Sequence, residues 1–468
     1  MTGITQLARG VIMTSAPGFG GYVLFPQQSA RLEEIRALTR GMPLVAVDQE
    51  GGRVARLRDG VEPMPPMMAL GAANDIELAR RAGEQIAFDL RRAGCTMDFA
   101  PVLDLAVDPR NTVIGTRSFG ADPQRVAALG SAFGRGLQQG GVIPCYKHFP
   151  GHGATEIDSH AALPVIDADE ATMRARDLLP FAEVARGAPA MMSAHVVARA
   201  FDPESPATLS RRIATDLLRG ELGFRGAFVT DCLEMDAVAA RGSVESALEA
   251  LAAGADLLLF SHDFELASAA AAAIEAAVNA RRIPLERLEE AYARVSRLCE
   301  AGAAPLPLDA FPPHPGIGRE IARRAITLLR GVPEADPLAS IAVVFGSDDV
   351  LLGREAPVLE ELHAPLDPSS TDLGGIDAAL ARSQRRPILL SRRAHLHPAQ
   401  ADAIRAILAG YPDALVVSLL EPFDLPLFEG ARHLLAAYGD DEASIGGLAD
   451  VLFSGHMPTG RLPVTVSP

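Results

Sequence analysis

Between residues 21 and 260, short apolar runs alternate with Ala- and Leu-rich stretches, and that rhythm constrains the fold more than any other feature of the chain. The runs at 21–25, 44–48, 96–99, 142–146, 190–194, 227–230 and 256–260 have the length and composition of buried strands. Between them, 75–93, 123–139, 171–186 and 244–253 carry apolar residues at three- and four-residue spacing, which predicts helices. Strand followed by helix at this pace pairs the strands in parallel through right-handed crossovers. The repeat count predicts an α/β fold with a closed (β/α)8 barrel of TIM type. Seven strands are clear, and only Val11-Ile12-Met13 can supply the eighth, so the first strand is expected to be short or missing.

Helices are expected at 263–281 and 285–301, and 303–318 then holds five prolines, too many for the interior of an element. The expected organisation is a catalytic barrel over 1–302, a Pro-rich linker over 303–318 and a smaller α/β sandwich over 319–468. In the last part, 341–345, 387–391, 414–419 and 433–438 are predicted strands, with helices at 398–409 and 441–453. A chain of 468 residues accommodates two domains, and at 48% hydrophobic residues it can bury both cores.

The net charge of −16 argues against nucleic acid and anionic membrane surfaces as partners and leaves a small molecule or another protein. Cys95, Cys145, Cys232 and Cys299 are widely scattered, three of them in or beside apolar runs. They are expected to be reduced packing residues, which suits the cytoplasm. No export signal is expected before residue 25, and no segment reaches the roughly 18 to 20 apolar residues of a membrane span.

Chemistry concentrates where three predicted strands end. Lys147-His148-Phe149-Pro150-Gly151-His152-Gly153, with Asp158-Ser159-His160 close behind, puts one cation, three imidazoles and a carboxylate pair into a stretch that Gly and Pro keep from being helical. It is expected to be a loop holding catalytic groups at the carboxyl end of a strand. Asp158 and His160 are two residues apart, so in an extended segment they share a side and can hydrogen-bond, fixing the imidazole for proton transfer. Asp48-Gln49-Glu50-Gly51-Gly52-Arg53 ends a second strand and Asp231 a third. Each has a plain alternative: a solvated turn for the first, a helix cap for Asp231, and loop shaping for His152. Together they offer a carboxylate nucleophile, a histidine backed by a carboxylate, and polar groups for a polyhydroxylated substrate. The types also suit a metal-dependent hydrolase with His148, His152, Asp158 and His160 as ligands, against which stands the cation of Lys147 beside His148.

The segments DQEGGRVAR, RSFG, KHFPGHG, DSHAALP and VTDCLEM, in this order, resemble family 3 glycoside hydrolases, in particular bacterial β-N-acetylglucosaminidases of the peptidoglycan-recycling type. The resemblance continues through Ala325-Ile326-Thr327-Leu328-Leu329 and Pro458-Thr459-Gly460-Arg461-Leu462-Pro463-Val464-Thr465, which look like the opening and closing of that family's C-terminal sandwich. It implies retaining hydrolysis without a cofactor, with Asp231 as nucleophile and His160, paired with Asp158, as acid/base. It assigns sugar binding to Asp48, Arg56, Arg117, Lys147 and His148. The implied partner is a saccharide. Because an imidazole does not repel an anion as a carboxylate would, phosphorolysis on the same fold is the close alternative, with β-glucoside cleavage beside it. A non-catalytic sugar binder is disfavoured, since binding needs no nucleophile. Cys232 departs from relatives that carry a second acidic residue after the nucleophile.

Overall fold

The computed structural model describes residues 3–25, 32–42, 44–155, 163–303 and 313–466. Eight parallel strands form the first sheet: β1 (Ile12–Thr14), β2 (Gly21–Val23), β3 (Val45–Val47), β4 (Met97–Asp98), β5 (Ile143–Phe149), β6 (Ala190–Ser193), β7 (Ala227–Val229) and β8 (Leu258–Phe260). They run in the order β7-β6-β5-β4-β3-β2-β1-β8, and a bridge between Val229 and Leu257 closes the ring. The first strand is short, as expected, yet present: Met13 pairs with Leu259 on one side and Gly21 on the other. The lumen is filled, not open, with Met13, Met97, Phe99 and Met192 among its buried side chains.

Helices wrap the barrel with caps legible in the sequence. In α1 (Ile76–Arg92) the Asp75 carboxylate accepts from Leu78 N, and in α2 (Pro123–Gln139) Asp122 accepts from Arg125 N ahead of Pro123. These two helices pack very closely because Gly83 and Gly136 face backbone: a Cβ on Gly83 would collide with Phe133 O, and one on Gly136 with Arg80 O. The helix expected over 171–186 is two, Glu170–Ala175 and Leu179–Ala185, interrupted ahead of Pro180. A wide-turned π-helical segment, Arg212–Glu221, follows β6.

The second sheet has six strands: β9 (Thr327–Arg330), β10 (Ser340–Phe345), β11 (Glu360–Ala364), β12 (Arg386–Ser391), β13 (Leu415–Ser418) and β14 (His433–Ala436). Their order is β9-β14-β13-β12-β10-β11, antiparallel only at β9–β14. Helices α3 (Ile317–Ala325) and α4 (Glu442–Phe453) flank it. Of the expected linker, residues 304–312 lie outside the described residues. One cluster of buried side chains contains Met68 and Phe119 from the barrel half and Ile321, Ile341 and Phe428 from the second half. No helix among the described residues is long and apolar enough to cross a membrane.

Candidate active site

β5 runs further than its apolar composition predicts. Lys147, His148 and Phe149 belong to the strand and not to a loop: Lys147 O accepts from Leu103 N (2.6 Å), and Phe149 pairs with Ser193 after a register shift. Lys147 and His148 have different partners. Lys147, 2% exposed, donates through Nζ to Asp48 Oδ1 (2.7 Å) and meets Glu50 Oε1 at 2.6 Å. Burial favours the neutral amine, but the two carboxylates outweigh it and hold Lys147 charged.

Glu50 is the centre of this group. A tight hairpin, Gln49–Gly51 against Val54–Ala55, turns it inward, where Arg117 Nε and Nη2 donate to its two oxygens at 2.8 Å each. Burial alone would raise its pKa, whereas the charges of Arg117 and Lys147 hold it far below the usual carboxylate range. The hairpin is pinned by Gln49, whose backbone N–H donates to Asp98 Oδ1 and whose amide bonds the backbone of Leu57 in both directions.

His148 points the other way. Its Nδ1 lies 2.5 Å from Asp104 Oδ2 and its Nε2 3.4 Å from Arg117 Nη2. A carboxylate only accepts, so Nδ1 carries the proton. Asp104, fully buried, also accepts from the backbone N–H groups of His148 (3.1 Å) and His152 (2.7 Å). Burial would raise Asp104, but His148 and His152 hold it below the ordinary value. His152 is tied at its Nδ1 to Thr155 Oγ1 (2.9 Å), and burial pushes its pKa down to about 4, so it stays neutral. Asn111 Nδ2 braces the same turn through His152 O (2.9 Å) and Gly153 O (3.2 Å).

Asp231 follows β7 and is partly exposed. Its Oδ1 accepts from Cys232 N (2.7 Å). Burial opposes ionisation, while His195, His148, the Cys232 N–H and Lys147 together hold its pKa below the ordinary carboxylate value. His195 sits behind it: Nε2 is 2.9 Å from Cys232 O, which only accepts, and Nδ1 is 2.7 Å from Thr208 Oγ1. Burial pushes the Cys232 thiol up to about 12, so it remains protonated, and it donates to Glu234 Oε2 (3.3 Å). Glu234 also collects the backbone N–H groups of Ser261, His262 and Asp263, fastening the end of β8 to the end of β7.

One cavity of about 440 Å³ opens at the carboxyl ends of the strands. Asp48, Arg56, Arg117, Lys147, His148 and Asp231 all line it, as does His152. Arg56 stands 5.7 Å from the Phe25 ring, which stacks on His262. Asp158 and His160, the expected proton-transfer pair, lie outside the described residues. Sequence reasoning did not single out Glu50, Asp104, His195 or Glu234. Glu50 and Glu234 stand in quoted strand-end motifs and Asp104 in a carboxylate-bearing stretch after a strand, so strand-end position was a usable signal for all three; His195 carries none beyond proximity to β6.

Residues 22–298 match the glycosyl hydrolase family 3 N-terminal domain. A "Beta-hexosaminidase" of Chromobacterium violaceum is 40% identical over 299 residues, 58% of this chain and 83% of that one. A "Beta-hexosaminidase A" of Pseudoalteromonas piscicida is 30% identical over 534 aligned residues, 96% of this chain and 89% of the relative. Among solved structures, a family 3 β-N-acetylglucosaminidase from a Paenibacillus species superposes with a TM-score of 0.90 at 34% identity, covering 100% of this chain and 99% of the other. An ionised carboxylate at a barrel strand end, a buried cluster of ion pairs beside it and this agreement along nearly the whole chain lead to one assignment: the chain belongs to glycosyl hydrolase family 3 and is an enzyme of the glycoside hydrolase class.

Proposed function

We propose that the protein is a retaining exo-β-N-acetylglucosaminidase that removes terminal β-linked N-acetylglucosamine from peptidoglycan-derived fragments. The observation that carries this is Asp231, held below the ordinary carboxylate pKa and partly exposed in a cavity that Lys147, Asp48 and Arg117 also line, with Glu50 buried behind them. In the first step an Asp231 oxygen attacks the anomeric carbon, the glycosidic bond breaks, and the leaving oxygen takes a proton from His160. In the second step His160 removes a proton from water, the water oxygen attacks the same carbon, and Asp231 is released. Asp158 orients the imidazole of His160. Asp48, Arg56, Arg117, Lys147 and His148 bind the sugar, with ring hydroxyls facing Asp48 and the cations reaching hydroxyl or acetamido oxygens.

The relatives named as hexosaminidases support the N-acetylglucosaminide over the glucoside. Four free cysteines suit a reducing compartment, and the proposed location is the cytoplasm, with a saccharide as partner and neither nucleic acid nor membrane. A metal at His148 is disfavoured by the Arg117 guanidinium beside its Nε2; activity retained after chelation tests this. An aryl β-N-acetylglucosaminide is expected to be cleaved in preference to the matching β-glucoside, with free sugar as product when phosphate is added. Asp231→Ala is expected to lower kcat by at least about 10³-fold while the fold, followed by circular dichroism, is kept. Preference for the glucoside, or sugar phosphate as the product, would overturn the assignment.

A further inference from the structure

Residues 108–121 join both sides of the site and are held from outside by the second half of the chain. Inward, Asn111 braces the His152 turn, and Arg117 makes its paired bonds to Glu50. Outward, Pro109 O accepts from His395 Nε2 (2.9 Å), and Ala121 N donates to Pro463 O (3.0 Å). Between them, Thr116 N donates to Glu421 Oε1 (3.1 Å). Glu421 is 3% exposed and clamped by Arg393, whose Nε reaches Oε2 at 2.7 Å and whose Nη2 reaches Oε1 at 2.8 Å. Gly115 has φ +44°, and a Cβ there would collide with Glu421 Oε1, so turn and carboxylate occupy complementary space. Neither Glu421 nor Arg393 lines the cavity.

We propose that Glu421 is a positioning residue for sugar binding: it fixes the 115–117 turn that aims Arg117 at Glu50 and the cavity, so the second half of the chain sets substrate affinity without touching substrate. Without this acceptor the buried Thr116 N–H is left unsatisfied, and the turn relaxes to find another partner. Arg117 then loses its paired geometry with Glu50, and the ammonium of Lys147 is left to neutralise two carboxylates. The effect is a loss of binding and not of chemistry, because the backbone N–H that bonds Asp231 and the His195 ring behind it lie on segments other than the 115–117 turn.

The proposal rests on the hydrolase assignment for its kinetic arm only. With 4-nitrophenyl β-N-acetylglucosaminide, Glu421→Ala is expected to raise KM about tenfold with kcat within about twofold and an unchanged pH profile of kcat. Glu421→Gln keeps an oxygen for Thr116 and recovers most of the loss. In an Arg117→Ala background, Glu421→Ala should add less than about a twofold further effect, since both act on one contact. Gly115→Ala, whose Cβ would collide with Glu421 Oε1 from the side of the turn, should reproduce the rise in KM. Hydrogen exchange on the full chain should show faster exchange at residues 115–117 in Glu421→Ala than in wild type. An unchanged KM, multiplicative effects of Glu421→Ala and Arg117→Ala, or native exchange at residues 115–117 would each overturn the proposal. If wild-type protein cleaves no β-N-acetylglucosaminide, the functional assignment fails, and the exchange measurement still decides the role of Glu421.

Discussion

His152 shows how burial and not sequence spacing sets the role of a side chain. Three histidines crowd residues 148–160, and in residue type they are interchangeable. In the folded protein His148 gives its Nδ1 proton to a buried carboxylate, while His152 shares a hydroxyl with Thr155 and is kept neutral. The unfolded chain binds a proton on this ring near pH 6.5, the folded protein only near 4. Between those values the unfolded state carries more protons, so the contribution of His152 to stability falls as pH drops from about 6.5 to about 4 and is constant above. The midpoint of urea unfolding should therefore decline over that window in wild type and decline less in His152→Asn. Equal slopes in the two proteins would show that another group is responsible. Asp48, Lys147 and Asp231 were legible one at a time as strand-end groups, because a charge directly after an apolar run is visible in sequence. The pairing of charges was not: nothing in the spacing of Glu50, Arg117 and Lys147 says that one carboxylate binds both cations.

At the scale of elements, strands were legible where both faces are apolar and blurred where chemistry enters. β5 was expected to stop at Tyr146, yet it continues to Phe149, because Lys147 and His148 find buried carboxylates in place of water. The edge strand β11, Glu360–Ala364, was not foreseen, since its polar, half-exposed residues carry no apolar signal. The 108–121 segment has no regular structure apart from the short Gly115–Arg117 turn and works as a brace. Its Asn111 end supports the root of the stretch that leads to Asp158 and His160, whereas its Arg117 end supports the cluster of Glu50 and Lys147. The two ends should be separable kinetically. Asn111→Ala removes bonds to two buried carbonyls at a cost of about 1–3 kcal/mol, and is expected to lower kcat with KM little changed. A rise in KM alone would contradict this division.

Across the whole molecule, both sheets contribute to one cluster of buried side chains, and ion pairs such as Arg324 with Asp75 (2.7 Å) cross between them. The Tyr438 hydroxyl, 2.6 Å from Thr327 Oγ1, ties the edge of the second sheet together. The two halves are therefore expected to unfold in a single calorimetric transition, with the calorimetric and van't Hoff enthalpies equal; two resolved transitions would show that the shared core does not couple them. The succession of barrel and sandwich was readable from strand rhythm and proline content, but their joint core was not, because a buried helix face looks the same whichever sheet covers it. The acceptor for Thr116 lies 305 residues further along the chain. A ribosome adding about 5 to 20 residues per second needs about 15 to 60 s to make that stretch, so for that time the 115–117 turn has no Glu421 to anchor it. A message cut short there yields a chain that carries Asp231 but lacks the acceptor that holds the Arg117 turn.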